Sequence, residues 1–450
     1  MSRSSAAHIV QILREHGHQA YFVGGCVRDL LLHRIPADYD VATDALPEQV
    51  MKIFPRTWAV GAQFGVVLVP IDNESCDAPE SPHSQHHGCI EVATFRSDGL
   101  YSDGRHPDAV RFTRTAREDV QRRDFTINGM LLDPLNDEVL DYVNGRADLE
   151  AGIIRTIGEP HRRFAEDKLR MLRAIRFAAR FNYSIDPATM AAIRELAPEI
   201  RAVSHERVRD ELTKMLTEGH ARRAFELLDE SALLPEILPD VAKMKGVQQP
   251  PQFHPEGDVW VHTLLLLEKL PEKVSPTLAW GALLHDVGKP PTFRIAPERI
   301  RFDNHVEVGV RITEQLGRDL RFSNDDLHQI TALVDNHMKW SEVTRMREST
   351  IKRFMRQPKF DEHMALHRLD CLSSHGDLSL YDFVKGKMEQ TPVAEIRPTP
   401  LLTGDDLITA GYRPGPLFKE ILSAVEDAQL EARLQSREDA MEFVRREFPL

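Results

Sequence analysis

The sequence predicts an α+β domain at the N-terminus, with a mixed or antiparallel sheet and helices, followed by an all-α neck, an all-α body and a helical tail. Short apolar runs bounded by Gly, Pro and polar residues fill the first 154 positions, as strands and turns do. Helical apolar spacing dominates after that point. A chain of 450 residues is also too long for a single core, so three or so domains are expected.

The N-terminal elements follow from local patterns. The run 21–23 is apolar and ends at two glycines, which indicates a buried strand followed by a turn. The runs 63–71 and 90–95 are predicted to be partner strands. In chain order, the prediction is helix 4–18, strand 21–23, helix 27–32, strand 39–42, helix 45–54, strand 63–71 and strand 90–95.

A turn made of Gly24 and Gly25, called here the glycine turn, precedes two acidic residues. Glycine has no Cβ, so backbone N–H groups can approach a bulky anion closely. Asp38 and Asp40 are two positions apart on a predicted strand, so their side chains point to the same face. Each feature alone is common in non-catalytic proteins. Together they predict a divalent metal site beside a phosphate-binding turn, as phosphoryl transfer with two metal ions requires.

Composition narrows the class of protein. The chain has 42% hydrophobic and 28% charged residues, no apolar run of 18 residues and no signal-like N-terminus. It is therefore expected to be cytoplasmic, with no membrane association. The net charge of −13 argues against indiscriminate coating of nucleic acid. Cysteine spacing indicates no disulfide framework, so reduced thiols are expected at Cys26, Cys76, Cys89 and Cys371.

One segment, 155–180, departs from the acidic average. It holds eight basic residues against three acidic ones, a local charge of +5. A focused basic strip suits a ligand with a defined phosphate path, such as a structured RNA. The basic residues are Arg155, Arg162, Arg163, Lys168, Arg170, Arg173, Arg176 and Arg180.

Two polar segments in the N-terminal third are predicted to be loops. Segment 73–89 contains Cys76, His83, His86, His87 and Cys89, which are potential zinc ligands. Their spacing fits no standard zinc site and the run is rich in Pro and Ser, so a flexible hairpin insertion is the favoured interpretation. Segment 97–107 is rich in Gly and Asp and is expected to be mobile.

The run EDKLR, 166–170, opens a strongly helical stretch. Residues three apart are neighbours on a helix, so Asp167, Arg170 and Arg173 are predicted to form one ridge. A salt-bridged surface ridge is the ordinary interpretation. The alternative is base recognition, because cytosine and adenine both offer an amino donor beside a ring-nitrogen acceptor, which suit an Asp and an Arg. Uracil and guanine would leave buried groups unpaired, at roughly 1–3 kcal/mol each.

Helical surroundings also hold a second set of potential metal ligands. His262, the adjacent pair His285 and Asp286, and Asp370 combine N and O donors, and single buried pairs of this kind are often only core contacts. His305 and His337 would be needed for a second metal. Proline-rich breaks at 243–255 and 389–400 complete the division into 1–154, 155–245, 246–390 and 391–450.

The glycine turn with DYD (38–40), the run RRDFTINGM (122–130), EDKLR and the pattern H…HD…D together resemble class II CCA-adding tRNA nucleotidyltransferases. These enzymes belong to the polymerase β superfamily, share a family with bacterial poly(A) polymerases, and in some members carry an HD domain. In the family, the run at 122–129 is usually RRDFTINA or close to it, and here Gly129 replaces the Ala. The resemblance covers essentially the whole chain.

The resemblance implies a transferase that uses CTP and ATP to extend a tRNA 3′ end, with Mg²⁺ held by Asp38 and Asp40. Glu91 is either a third metal-binding carboxylate or an exposed strand residue. Segment 97–107 corresponds to the flexible loop associated with adding the terminal A. The residues implied to contact the nucleotide are Gly25, Arg28, Arg123, Asp167, Arg170, Arg173 and Arg176, with Asp124 and Asn128 shaping the site.

For the second constellation, the resemblance implies an HD site with a divalent transition metal and phosphatase or phosphodiesterase activity on terminal phosphates. Four alternatives remain open. The first is a bacterial poly(A) polymerase, and the second is an enzyme that adds only CC or only A. The third, from a different class, is an HD phosphohydrolase whose N-terminal domain only binds RNA. The fourth is a purely RNA-binding protein.

Overall fold

The computed structural model describes residues 2–59, 65–71, 88–99, 110–252, 254–297 and 299–450. The chain divides into two compact units, Met1–Ala242 and Lys243–Leu450. Most of the Cys/His-rich loop 73–89 and of the segment 97–107, which was expected to be mobile, falls outside the described residues. Both interpretations of the loop, the favoured hairpin insertion and a zinc site, therefore stay untested.

The N-terminal unit begins with helices and strands in alternation and ends with helices, as predicted. Its first half contains α1 (Arg3–Glu15), β1 (Ala20–Val23), α2 (Gly25–Leu31), β2 (Asp40–Thr43), α3 (Pro47–Ile53), β3 (Trp58–Ala59), β4 (Val66–Pro70), β5 (Cys89–Thr94), β6 (Arg96–Asp98), β7 (Val110–Phe112), α4 (Ala116–Gln121), β8 (Met130–Asp133), β9 (Glu138–Asp141) and α5 (Gly145–Ala151). Its second half contains β10 (Ile153–Ile154), α6 (Pro160–Glu166), α7 (Leu169–Phe181), β11 (Ser184–Ile185), α8 (Pro187–Leu196), α9 (His205–Thr217), α10 (Ala221–Glu230), α11 (Leu234–Ile237) and α12 (Pro239–Ala242).

Seven strands form one mixed sheet in the order β3-β4-β5-β2-β1-β8-β9. Only β2 and β5 run parallel, and the other neighbours are antiparallel. The predicted pairing of β4 with β5 is confirmed. Buried apolar side chains such as Phe22, Val41 and Val92 hold the sheet to its helices. The register places Asp40 between Val23 on β1 and Glu91 on β5, which brings two acidic residues side by side.

The helical part of the N-terminal unit is broken where the sequence predicted continuity. Helix α6 ends at Glu166, and Asp167 has extended backbone angles (φ −149°, ψ 106°) before α7 begins at Leu169. The predicted ridge of Asp167, Arg170 and Arg173 is therefore wrong for Asp167, which precedes the helix. Its carboxylate instead accepts a hydrogen bond from the Leu169 N–H at 3.1 Å. Leu169, Leu172 and Ile175 of α7 are buried.

The C-terminal unit is mostly helical. It contains α13 (Val259–Glu268), α14 (Pro276–Leu284), α15 (Lys289–Thr292), β12 (Phe293–Ile295), β13 (Ile300–Phe302), α16 (His305–Asp319), α17 (Asn324–Asn336), α18 (Glu348–Met355), α19 (Phe360–Ser373), α20 (Ser379–Gln390), α21 (Val393–Ile396), α22 (Gly404–Thr409), α23 (Pro416–Leu430) and α24 (Arg437–Glu447). The all-α expectation misses the β12–β13 hairpin here and the short β10–β11 pair in the N-terminal unit, because two- and three-residue strands leave no periodic signal.

Two further expectations can be compared with the structure. Cys26 and Cys371 are free and buried, as predicted, whereas Cys89 is disulfide-bonded. The expectation of a reduced thiol is therefore wrong for Cys89, because disulfide formation depends on distances in the fold that cysteine spacing does not reveal. Among the described residues, no helix is both long and apolar enough to span a membrane.

Candidate functional site

Asp40 lies beside the glycine turn and has two acidic neighbours, Asp38 and Glu91, whose charges act on its carboxyl. Asp40 opens β2 opposite Glu91, and the exposed Asp38 lies two residues before it. Burial of the Asp40 carboxyl, followed by the charges of Glu91 and Asp38, raises its pKa to about 7. Such mutual repulsion marks a place where added positive charge is stabilising. Oxygen donors of this kind suit a hard divalent cation, so the group fits a divalent metal.

The glycine turn packs against both a carboxylate and a guanidinium. Gly24 has φ +77°, a left-handed conformation that side chains disfavour. A Cβ built on Gly24 would lie 3.6 Å from Arg123 Nη1 and 3.9 Å from Asp40 Oδ2. Asp119 fixes Arg123 by accepting from its Nη2 at 2.9 Å. The turn, Asp40 and Arg123 therefore border one small region.

The Arg28 side chain already has partners within the protein and is not free to bind a phosphate without exchanging one of them. Its guanidinium is buried, donates to Asp29 and donates from Nη1 to the Asn128 Oδ1 at 2.7 Å. It also lies over the Phe181 ring, 4.6 Å from the centroid. Its Nη2 is 3.5 Å from where a Cβ of Gly25 would be, so it adjoins the glycine turn. Direct contact of Arg28 or Gly25 with a triphosphate stays a prediction.

Asp124 connects the RRDFTINGM run to α7. Its Oδ2 accepts from Arg173 Nε and Nη2 at 2.9 and 2.7 Å, and its Oδ1 accepts from Asn128 Nδ2 at 3.3 Å. Burial opposes ionisation, yet the Arg173 guanidinium lowers the pKa of Asp124 to about 2. Gly129 leaves no room for a larger residue, since a Cβ would come within 2.8 Å of Ile157 Cδ1.

The predicted base-reading residues each have a fixed partner. Arg170 donates from Nη1 to Glu166 Oε2 at 2.7 Å, and from Nη2 to the Arg122 carbonyl oxygen at 3.1 Å. Asp167 Oδ2 accepts from Arg207 Nη2 at 2.7 Å. Arg207, on α9, was not found from the sequence because it lies 40 residues from Asp167 and belongs to no motif.

The basic strip is neutralised within the fold. Arg176, for example, donates to Glu211 at 2.7 Å and to Glu218 at 3.2 Å, while its guanidinium lies 4.4 Å from the Phe177 ring centroid. All eight basic residues of 155–180 have a carboxylate within 4.0 Å. Acids from other elements, which a local charge count omits, supply most of these partners.

In the C-terminal unit, the structure brings all six predicted metal ligands together. His262, His285 and Asp370 offer ligand atoms within 4.8 Å of one another, and Asp286, His305 and His337 form a second such group. His262 Nε2 lies 3.1 Å from Asp370 Oδ1 and 3.3 Å from His285 Nε2. Together these six residues are called the HD cluster.

The histidines of the HD cluster point the same nitrogen inward. Each Nδ1 faces an oxygen: Ala282 O at 2.9 Å for His285, Phe302 O at 2.9 Å for His305, and Val334 O at 2.6 Å for His337. Since these oxygens only accept, each Nδ1 donates a proton, and a neutral ring would therefore offer the lone pair of Nε2 to a metal. Among the described residues, the buried Nε2 atoms of His305 and His337 have no hydrogen-bond partner. This arrangement of ligands and outer partners fits divalent transition metals.

Three residues around the HD cluster were missed from the sequence. Glu256 Oε1 accepts from His262 Nδ1 at 2.7 Å, and Lys289 Nζ donates to Asp286 Oδ2 at 2.7 Å. Lys289 also donates to Gln249 Oε1 at 2.7 Å. Gln249 lies in the proline-rich stretch 243–255, which was interpreted only as a break, and Glu256 directly follows it. The run HDVGK was the one available signal for Lys289.

Family models match three parts of the chain. Residues 20–155 match the poly A polymerase head domain, and residues 182–245 match the probable RNA and SrmB-binding site of polymerase A. Residues 258–374 match the HD domain. The glycine turn, the helices between 182 and 245, and the HD cluster thus each fall in a different matched region.

Whole-chain comparisons agree. A CCA-adding enzyme of Lactobacillus helveticus is 31% identical over 444 residues, which cover 97% of this chain and 95% of the relative. The match to the CCA-adding enzyme of Geobacillus stearothermophilus is 44% identical but spans only about half of each protein, 51% and 53%. A crystal structure of the Bacillus stearothermophilus CCA-adding enzyme in complex with CTP superposes with a TM-score of 0.73 at 26% identity, covering 99% of both chains. The chain therefore belongs to the family of CCA-adding enzymes, nucleotidyltransferases that act on tRNA.

Proposed function

We propose that the protein adds C and A to the 3′ end of tRNA, with CTP and ATP as substrates. The observation that carries this proposal is the position of the Asp40 carboxylate, which adjoins Glu91 on one side and the glycine turn with Arg123 on the other. Relatives described with CTP, ATP or tRNA support the choice of substrates. Activity on tRNA fits the expected cytoplasmic location.

Asp38 and Asp40, with Glu91 beside them, are proposed to hold Mg²⁺, which aligns the RNA 3′-hydroxyl with the α-phosphate and neutralises the departing pyrophosphate. The backbone of Gly25 and the Arg123 guanidinium bind the triphosphate. Arg28 joins them by exchanging its bond with Asn128 for a phosphate oxygen.

Base choice is proposed to rest on Asp167 and Arg170. The Asp167 carboxylate accepts the amino group shared by cytosine and adenine, and Arg170 donates to the neighbouring ring nitrogen. Uracil or guanine would leave both side chains unpaired, which is a penalty against the wrong base. Arg173 and Arg176 stack on or donate to the nucleotide and the RNA backbone.

Three tRNA transcripts decide among the members of this class: one ending at the discriminator base, one after the first C and one after the second. Each is incubated with one labelled nucleotide at a time and Mg²⁺. The proposal expects two C and one A, after which addition stops. Unlimited A addition to many RNAs would identify a poly(A) polymerase, and addition of only CC or only A would identify the restricted enzymes.

Loss of the carboxylate tests the site itself. Replacing Asp40 with Asn should lower nucleotide addition by about 10³-fold or more, since several kcal/mol of charge stabilisation disappear. Asp137→Asn, at an exposed turn carboxylate, is the matched control and should leave the rate unchanged. Retained turnover in the Asp40 variant would show that the N-terminal unit only binds RNA.

A second activity is favoured by the inward Nε2 atoms of the HD cluster. We propose that this cluster holds divalent transition metal and hydrolyses phosphate esters at RNA termini, chemistry that a bound metal supplies by polarising phosphate oxygens and activating water. His262→Ala should abolish hydrolysis of a 3′-terminal phosphate while nucleotide addition continues. His328→Ala, at an exposed histidine, should change neither activity. Hydrolysis that survives His262→Ala would refute this assignment.

The division into a head (1–154), neck (155–245), body (246–390) and tail (391–450) remains part of the proposal. The matched family regions support the first three segments. The tail has an apolar cluster of its own, built from residues such as Leu407, Tyr412 and Ile421.

A further inference from the structure

We infer that Arg207 is a positioning residue for base selection: it fixes the plane of the Asp167 carboxylate so that one oxygen faces the incoming base. This inference rests on the proposed role of Asp167. Arg207 lies outside the runs quoted for the family resemblance and reaches Asp167 from α9.

The Asp167 carboxylate is held at both oxygens. Oδ1 accepts from the Leu169 N–H at 3.1 Å, and Oδ2 accepts from Arg207 Nη2 at 2.7 Å. Each oxygen has two lone pairs, so one acceptor site on each is left for a base. The torsion that turns a carboxylate about its Cβ–Cγ bond is soft, so a single anchor would not define its orientation.

Arg170 is held in a similar way by groups outside the pair. Glu166 Oε2 lies 2.7 Å from its Nη1, and the carbonyl oxygens of Arg163 and Arg122 each lie 3.1 Å from one of its terminal nitrogens. In the proposed base-reading pair, the Asp167 carboxylate is therefore fixed by Arg207, and the Arg170 guanidinium is fixed by Glu166. A rigid pair rejects the wrong base, because neither side chain can turn away from the mismatch.

Arg207 is poorly suited to a purely structural role. Its side chain is 23% exposed and that of Asp167 is 16% exposed, so water can still reach and solvate the carboxylate when the guanidinium is removed. Removing Arg207 should leave the fold intact and release the carboxylate. Uracil would then meet an acceptor that can rotate away, so the penalty against UTP would fall.

The test is single-nucleotide addition to a tRNA transcript that ends at the discriminator base, with CTP and UTP compared by kcat/KM. Arg207→Ala should lower the CTP-to-UTP ratio about tenfold or more, with a smaller change in kcat for CTP. Arg207→Lys keeps one cationic donor and should give an intermediate ratio. Arg207→Gln serves as a second variant, and thermal unfolding checks that each variant folds.

Arg209→Ala is the matched control, since Arg209 lies on the same helix and donates to Asp210 at 2.8 Å. It should leave the ratio unchanged. If Asp167→Asn relaxes base choice and Arg207→Ala does not, Arg207 has no positioning role. If Asp167→Asn also leaves the ratio intact, the proposed base-reading role of Asp167 is itself wrong.

Discussion

Oε1 of Glu256 lies 2.7 Å from Nδ1 of His262, and the same oxygen lies 2.8 Å from Nδ1 of His254. A carboxylate only accepts here, so His262 donates from Nδ1, and Nε2 is the nitrogen left for a metal once its own proton is released. That Nε2 faces His285 and Asp370. An acidic residue outside the HD pattern thus decides which histidine nitrogen is presented to a metal.

Replacing Glu256 with Ala should weaken metal binding by the C-terminal unit about 10- to 100-fold, because the orientation and basicity of His262 are lost. Equilibrium dialysis of the full chain against graded Mn²⁺ measures this. Glu314→Ala, at a surface carboxylate of α16 that pairs with Arg318, should not change the affinity. Equal metal affinity in the Glu256 variant and the unmodified protein would contradict the argument.

The raised pKa of Asp40 predicts a stability difference that depends on pH. The folded protein keeps the proton up to about pH 7, whereas the unfolded chain releases it near 3.8. Between these values the folded state binds more protons, so this group makes the free energy of unfolding fall as pH rises. Asp40→Asn removes the titration, and its stability relative to the unmodified protein should rise from pH 4 to 7 and then level off.

Urea unfolding of the metal-free protein at pH 5 and pH 8 compares the two chains. Asp137→Asn, which changes an exposed carboxylate, should show no such trend. A stability difference between Asp40→Asn and the unmodified protein that is the same at both pH values would show that the Asp40 carboxyl is ionised throughout.

Removing the guanidinium of Arg170 should relax base choice more than it slows the chemistry. Arg170→Ala deletes the donor to the ring nitrogen, so the CTP-to-UTP ratio of kcat/KM should fall about tenfold or more. Glu166 keeps Arg163 as a partner at 2.8 Å, which limits secondary damage. Arg162→Ala, at an 81% exposed side chain, is the control. An equal loss with all four nucleotides would remove Arg170 from base reading.

Gly288 is a steric requirement of the HD cluster. A Cβ there would lie 2.0 Å from the carbonyl oxygen of His305 and 2.6 Å from the Gly309 nitrogen. Gly288→Ala should push α15 from the start of α16, lower stability by roughly 1–3 kcal/mol and reduce metal binding. Gly386→Ala, with no atom within 4 Å of its Cβ, should keep both. Thermal unfolding and metal dialysis read the two effects, and unchanged metal binding in Gly288→Ala would contradict the prediction.

The sequence predicted well whatever depends on local pattern. The glycine turn, the strand with Asp40 and the pairing of β4 with β5 all carry their signal within short runs. Spacing along a strand or a helix is enough to place such residues on one face. The ligands of the HD cluster are spread from 262 to 370 and were found through the resemblance to the H…HD…D pattern.

Contacts between distant segments left no such signal. Arg207 and Asp167 are 40 positions apart, and only the packing of whole elements makes them partners. Glu256 lies six positions before His262, but it precedes the helix that carries His262, so no periodic spacing predicts their contact. The break at Asp167 was hidden because both sides of it have helical apolar spacing. The sequence suggested that the Arg28 guanidinium is free to bind phosphate, yet it donates a hydrogen bond to Asn128, 100 positions away.

The acids that face the strip 155–180 change how an RNA would be received there. Because a carboxylate lies beside each of the eight cations, their electrostatic attraction for RNA extends only a short way into solvent. A phosphate would interact with them only at close range. Binding would swap internal partners for external ones, so the affinity would vary with ionic strength much less than eight charges imply. The shape of the RNA, rather than long-range electrostatic attraction, would then determine which RNA binds.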